Sequence, residues 1–327
     1  MPRTTWPLVA SAVALLASTA CGTESPGAAA TPGYPMTVEN CGRQVTIERA
    51  PQRLYVIGGE AGTLVHAAGG ADRVAVFAPL KDEPLGAAAE PLGRAEQQPI
   101  KNSKDISREV IIGAAPDMVV TFGLNDFGPD ELAAAGIPTL IVSGYCGGFG
   151  AGQSDVHDPL EELYRDVETL GRVLGTEQQA KDAVTGLRGR VDAVREKARQ
   201  SPPADTATAA LFIAGPDAQP GAYGKRSMIH QQMESVGLVN VFAGTDERYF
   251  EPNTEALIKA APQRIVALYE AADTTEDAVR RAVTGRADLA AIPAVASDDI
   301  LVLDFFYSGH GTLAVDGLEQ LAAQLAA

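Results

Sequence analysis

The side chains able to do chemistry are spread along this 327-residue chain rather than gathered in a reactive motif. No Gly-X-Ser-X-Gly turn, Cys/His pair or carboxylate pair at a plausible site marks an activated nucleophile. Four histidines, His66, His157, His230 and His310, are far apart and make no metal-ligand pattern. The segment 56–62 (VIGGEAG) lacks the glycine spacing of a dinucleotide loop. What the chain offers instead is rings and cations at loop positions. The rings are Phe127, Tyr145, Phe149, Tyr223, Tyr249, Phe250, Phe306 and Tyr307. Lys225, Arg226 and Arg248 accompany them, and His310 follows in the last loop. Rings bury the apolar surface of a large ligand, and cations orient its oxygens, so this chemistry is capture rather than bond making. Aromatic residues are only 6% of the chain, which makes their concentration in loops informative. For any single ring, packing beneath its own loop is the competing reading.

A second set of residues comes from an internal repeat. Residues 109–120 read EVIIGAAPDMVV and residues 255–266 read EALIKAAPQRIV, with six of twelve positions identical. Each copy is a glutamate, a short apolar helix, Ala-Ala-Pro and a buried strand. Ser107 and Asn253 precede Glu109 and Glu255 by two positions and can cap the free N–H groups of the first turn. Each glutamate then stands exposed at the positive end of a helix dipole. A dipole partner alone explains one such residue. The same placement in both halves is better explained by something that reads both.

These residues need a scaffold, and the pattern predicts an α/β one. Short apolar strands at 53–57, 74–77, 118–122 and 139–142 alternate with helical segments or Gly/Pro turns, and a hairpin opens the domain around Asn40-Cys41-Gly42. Strands at 209–214, 264–269 and 300–305, with helices at 225–236 and 312–325, repeat the plan. Between the halves, Ala180, Val184, Leu187, Val191 and Val194 form one apolar face over 176–200. That stretch reads either as a helix connecting two lobes or as a surface helix within one. Loops at the carboxyl ends of such strands form the ligand crevice of an α/β sheet. The run Lys81-Asp82-Glu83 before Pro84 reads as a solvated loop.

Composition and termini set the compartment. With 26 Lys+Arg against 42 Asp+Glu, the net charge of −16 repels phosphate backbones and excludes nucleic acid as a partner. Arg3, the apolar run 8–17 and small residues at Ser18 and Ala20 read as a signal peptide over 1–20. Cys21 directly after the cut looks like a lipobox cysteine that accepts a lipid, although Ser18 stands where leucine is usual. Plain secretion is the alternative. Residues 21–35, rich in Gly and Pro, read as a flexible tether. Cys41 and Cys146 remain, and in an exported chain they suggest one bridge, with unpaired buried thiols as the alternative.

The segments TVENCGRQVTIERAPQRLYVIGG, ISREVIIGAAPDMVV and ILVLDFFYSGHGTLAVDGLEQLA, in this order, resemble the substrate-binding lipoproteins of ABC importers that capture ferric siderophores, haem or cobalamin. The resemblance runs from about Met36 to Leu325. It implies two Rossmann-like lobes, 36–175 and 201–327, joined by one long backbone helix, 176–200, with a central ligand cleft. It implies that Glu109 and Glu255 dock into arginine pockets of a permease dimer. It implies a ferric siderophore in the cleft, facing Phe127, Tyr145, Tyr223, Arg226, Arg248, Tyr249, Tyr307 and His310. No cofactor or resident metal is expected, and the location is the outer face of the cell membrane, anchored through lipid on Cys21. Capture of haem or cobalamin is the near alternative, and His310 is the residue that haem iron would use. An exported α/β reductase acting on ferric chelates is the alternative from another class.

Overall fold

The central strands of the first parallel sheet are short and apolar because both of their faces are covered. A computed structural model gives the structure of the chain and describes residue 1 and residues 33–147, 156–204, 206–215, 218–270 and 274–326. The signal peptide, all but the end of the tether, Cys21 and Phe149 lie outside the described residues. A hairpin, β1 (Met36–Asn40) and β2 (Arg43–Ile47), turns at Cys41 and Gly42, both with positive φ. It precedes a five-stranded parallel sheet. Its strands are β3 (Leu54–Ile57), β4 (Val74–Ala78), β5 (Glu96–Gln97), β6 (Met118–Thr121) and β7 (Thr139–Ile141), in the spatial order β5-β4-β3-β6-β7. Leu54, Tyr55, Val56 and Ile57 are all fully buried, as expected for a central parallel strand. Helices α1 (Gly59–Ala67), α2 (Ala89–Leu92), α3 (Arg108–Gly113) and α4 (Pro129–Ala133) connect these strands.

Two long helices carry the chain to a second sheet. α5 (Pro159–Leu174) starts with Asp158 accepting from the Glu161 N–H and ends at left-handed Gly175. α6 (Glu177–Gln200) buries the stripe of Ala180, Val184, Leu187, Val191 and Val194 that its spacing predicts. Gly186 and Gly189 face open space, so their cost is propensity and not lost packing. Sequence reading anticipated one connecting helix and overlooked α5, although Leu160, Leu163, Tyr164, Val167 and Leu170 had the same period. Arg188 bridges the pair, with its guanidinium on Glu161 and over the Tyr164 ring.

The second sheet is mixed. It contains β8 (Ala207–Phe212), β9 (Gly221–Tyr223), β10 (Val239–Asn240), β11 (Tyr249–Phe250), β12 (Arg264–Tyr269) and β13 (Ile300–Asp304). The path is β11-β9-β8-β12-β13, with β10 beside β8. β8, β10, β12 and β13 are parallel, whereas β9 and β11 run antiparallel at one edge. Those two edge strands stand where only loops were expected. α7 (Met228–Ser235), α8 (Thr254–Ala260), α9 (Glu276–Thr284), α10 (Pro293–Ala296) and α11 (Leu313–Leu325) complete this half.

One continuous core runs from the first sheet through α5 and α6 to α7 and α11, and a smaller core covers the outer face of the second sheet. Gly33–Ala327 is accordingly one compact unit. Cys41 and Cys146 form a disulfide with a Cα–Cα separation of 5.0 Å, joining the hairpin turn to the loop after β7. Asn40 reinforces that junction, donating to the Ile141 carbonyl and accepting from the Ile141 N–H. No helix among the described residues is long and apolar enough to cross a membrane.

Candidate functional site

Every parallel strand of the first sheet ends toward the same crevice. Glu60 follows β3, Leu80 and Glu83 follow β4, Lys101 and Lys104 follow β5, Phe122 follows β6 and Tyr145 follows β7. The second sheet contributes Arg248 before β11, Glu270 after β12, and Phe305 and Phe306 after β13. The cavity between them is about 510 Å³, within the range of small-molecule sites. Rings line both walls. Phe122 and Tyr145 meet edge to face at 6.0 Å on one side, and Phe305 and Phe306 at 5.8 Å on the other. A ligand here can bury apolar surface against either sheet while cations approach from both.

The floor is a seam between distant parts of the chain. Glu60, in the first turn of α1, accepts from the Tyr145 hydroxyl at 2.7 Å and from the His310 N–H at 2.6 Å. Thr63 Oγ1 accepts from the Thr312 N–H at 3.1 Å. Glycine makes this closeness possible. A Cβ on Gly144 would lie 2.0 Å from His310 Cγ, and one on Gly309 would lie 2.3 Å from Glu60 Oε1. Burial pushes the Glu60 carboxyl up, while Tyr145, the His310 N–H and the nearby Arg248 charge pull it down. Glu83 is buried too. Its Oε2 accepts from the Gly59 N–H at 2.6 Å and the Leu80 N–H at 3.0 Å. Burial pushes its carboxyl up to about 8, and the Glu60 charge adds to that shift. The solvated loop read from Lys81-Asp82-Glu83 is thus corrected: Glu83 turns in onto the start of α1 and is buried, while Lys81 and Asp82 stay exposed.

The predicted ligand residues divide. Tyr145 and Arg248 line the crevice, and the Arg248 guanidinium stands 5.5 Å above the Tyr145 ring. It makes no hydrogen bond or ion pair with a described residue. The other six lie outside the lining. Phe127 packs against the core of the first sheet. Tyr223 and Tyr249 pair edge to face at 5.4 Å on the antiparallel strands β9 and β11, which fold them onto each other. Arg226 is neutralised in place by Asp246 at 2.7 Å. Tyr307 faces a separate concavity of about 670 Å³ between α1, α6 and α11, together with His66 and Arg190. His310 is buried behind Tyr145, and burial with the Arg248 charge lowers its imidazole to about 3, so it is neutral. Sequence reading missed Glu60, Glu83, Lys101, Lys104, Phe122, Phe305 and Glu270. Position at strand carboxyl ends is the available signal, since Glu60, Phe122 and Phe305 each lie within three residues after a strand.

Glu109 and Glu255 are both exposed in first turns whose caps are as expected. Ser107 Oγ accepts from the Val110 N–H at 3.3 Å and Asn253 Oδ1 from the Ala256 N–H at 2.8 Å. Glu109 also pairs with its neighbour Arg108 at 3.0 Å. Its own backbone N–H, first, and the Arg108 guanidinium hold its carboxyl below the ordinary value. The repeat extends to the backbone, since Ala115 and Ala261, each before a proline, are left-handed at φ 48° and 45°.

The fold and crevice define a solute-binding protein built from two α/β lobes. The family described as periplasmic binding protein matches residues 56–306, and the chain belongs to it. That is a family of substrate-binding transport proteins and not an enzyme class. The chain is similar to YvrC of Bacillus subtilis (strain 168), an uncharacterized ABC transporter substrate-binding lipoprotein. The two share 22% identity over 300 residues, covering 89% of this chain and 86% of that protein. Among solved structures it is similar to an ABC-type Fe3+-hydroxamate transport system from Saccharomonospora viridis DSM 43017. There the TM-score is 0.75 at 31% identity, over 90% of this chain and 100% of that one. The periplasmic heme-binding protein RhuT from Roseiflexus sp. RS-1 shares the fold, with a TM-score of 0.64 at 19% identity over 84% of this chain and 97% of that one.

Proposed function

We propose that the chain is an extracytoplasmic lipoprotein, anchored through Cys21, that captures a ferric siderophore in the crevice and hands it to an ABC permease. One observation carries this reading: a half-buried guanidinium, Arg248, with no ion pair among the described residues, faces a ring-lined crevice between two sheets. A half-buried guanidinium that makes no hydrogen bond or ion pair with a described residue is free to donate to the oxygens of a chelate. The Saccharomonospora likeness, at 31% identity to a protein named for Fe3+-hydroxamate, supports an iron chelate. Tyr145 favours a siderophore over haem. Its hydroxyl donates to Glu60, and burial raises it well above its ordinary value, so it is a poor phenolate ligand for iron. A siderophore fills the coordination of its iron and needs only stacking and hydrogen bonds.

Glu109 and Glu255 are the proposed permease contacts. Each follows crevice residues closely, Glu109 after Lys104 and Glu255 after Arg248, which supports their placement beside the crevice mouth. Two exposed carboxylates suit bidentate capture by arginines. The shared core through α5 and α6 favours a small closure on binding, which sets the spacing of the two acids. Tyrosine-fluorescence titration of the mature chain with ferric trihydroxamates, ferric tris-catecholates, haemin and cobalamin tests the reading. Saturable quenching by a ferric siderophore is expected. Binding of haemin alone, with a Soret band, would overturn it.

A further inference from the structure

Two buried acids, Glu60 and Glu83, line the crevice near Arg248, which makes no ion pair with a described residue, and the acids are not equivalent. Glu60 is met by a phenol O–H, a backbone N–H and the charge of Arg248. Glu83 is met by backbone N–H groups only, and no described cation pairs with it. Its Oε2 lies 2.6 Å from the Gly59 N–H, one residue before Glu60, and the Glu60 charge acts on it, while Lys81 and Asp82 beside it in the chain are exposed. Two carboxylates enclosed this closely cannot both stay ionised at little cost, and the one lacking a cation keeps the proton. The other charged groups facing the crevice are Lys101, Lys104 and Glu270, all exposed, while His310 is neutral and Tyr145 is a phenol.

We infer that Glu83 is the proton-holding acid of the crevice floor, and that its protonation sets the charge class of the chelate. With Glu83 neutral, Glu60 and Glu270 offset two of the cations Arg248, Lys101 and Lys104, and the remaining positive charge favours a chelate presenting anionic oxygens. When Glu83 ionises, the floor gains a negative charge beside those oxygens and affinity falls. This rests on the capture reading above. The carboxyl is raised to about 8, so the change falls between neutral and mildly alkaline pH. Stability obeys the same linkage. A carboxyl whose native value is raised contributes stability that is full below about 4.5 and is lost as pH climbs through about 8.

Glu83→Gln keeps a carbonyl to accept the Gly59 and Leu80 N–H bonds and cannot ionise. Two measurements compare it with the parent chain. In the first, melting temperatures of the ligand-free proteins are taken from pH 6 to 9.5, and the variant should gain on the parent as pH rises toward about 8 and level off above it. In the second, an anionic ferric tris-catecholate and a neutral ferric trihydroxamate are titrated over the same range. For the parent, affinity for the anionic chelate should fall about tenfold, and less for the neutral one, while the variant stays level. A melting difference that is flat with pH, with chelate binding intact, overturns the role of Glu83 and leaves capture standing. No binding of either chelate at pH 6, where Glu83 holds its proton, overturns both.

Discussion

Two pairs of glutamates show how environment assigns a role to one side chain. Glu109 and Glu255 open short helices, stand in solvent and answer to local caps and dipoles and, for Glu109, to the adjacent Arg108. Glu60 and Glu83 line the crevice and are buried; burial pushes both toward the protonated form, and the Glu60 charge pushes Glu83 further. Exposure keeps a carboxylate charged and available as a handle. Burial turns the same group into a proton store whose state depends on every neighbour.

Charge reversal separates the pairs most sharply. The double variant Glu109→Arg/Glu255→Arg should abolish chelate uptake in reconstituted vesicles with the cognate permease while leaving affinity in solution unchanged within about twofold. Loss of solution binding would show that the exposed pair is not separate from the crevice. Next, Arg248→Ala should weaken chelate binding by roughly tenfold to a hundredfold, the loss of one or two charged hydrogen bonds, and should leave permease docking intact. Third, Gly144→Ala drives a methyl into His310 and should cost about 1–3 kcal/mol in denaturant unfolding, with weaker binding as the floor shifts. The smallest effect is expected at the caps. Asn253→Ala should cost about 1 kcal/mol by loss of the bond to the Ala256 N–H and should not change chelate affinity.

The exposed pair was legible in the sequence because its causes are local. A cap, a glutamate and an Ala-Ala-Pro exit lie within one short window and occur twice. The same locality made the α6 stripe and most parallel strands readable. The crevice floor has no such window. Glu60 meets His310 across 250 residues, and Glu83 looks like part of a charged loop until β4 and α1 close over it. Tyr223 and Tyr249 looked like ligand rings, but the antiparallel pairing of β9 and β11 folds them together. Arg226 likewise looked free until the fold brought Asp246 beside it. Tyr145 and Arg248 were found because a strand end and a loop are visible in sequence, although the lack of an ion pair for Arg248 among the described residues is not.

Hydrogen–deuterium exchange of the mature chain with and without a saturating ferric siderophore tests capture at the seam most directly. Protection should appear together in loops of both sheets, around Glu60, Glu83, Tyr145, Arg248 and Phe305. Protection confined to one sheet, or found at the hairpin surface around Arg43–Arg49 instead, would contradict it.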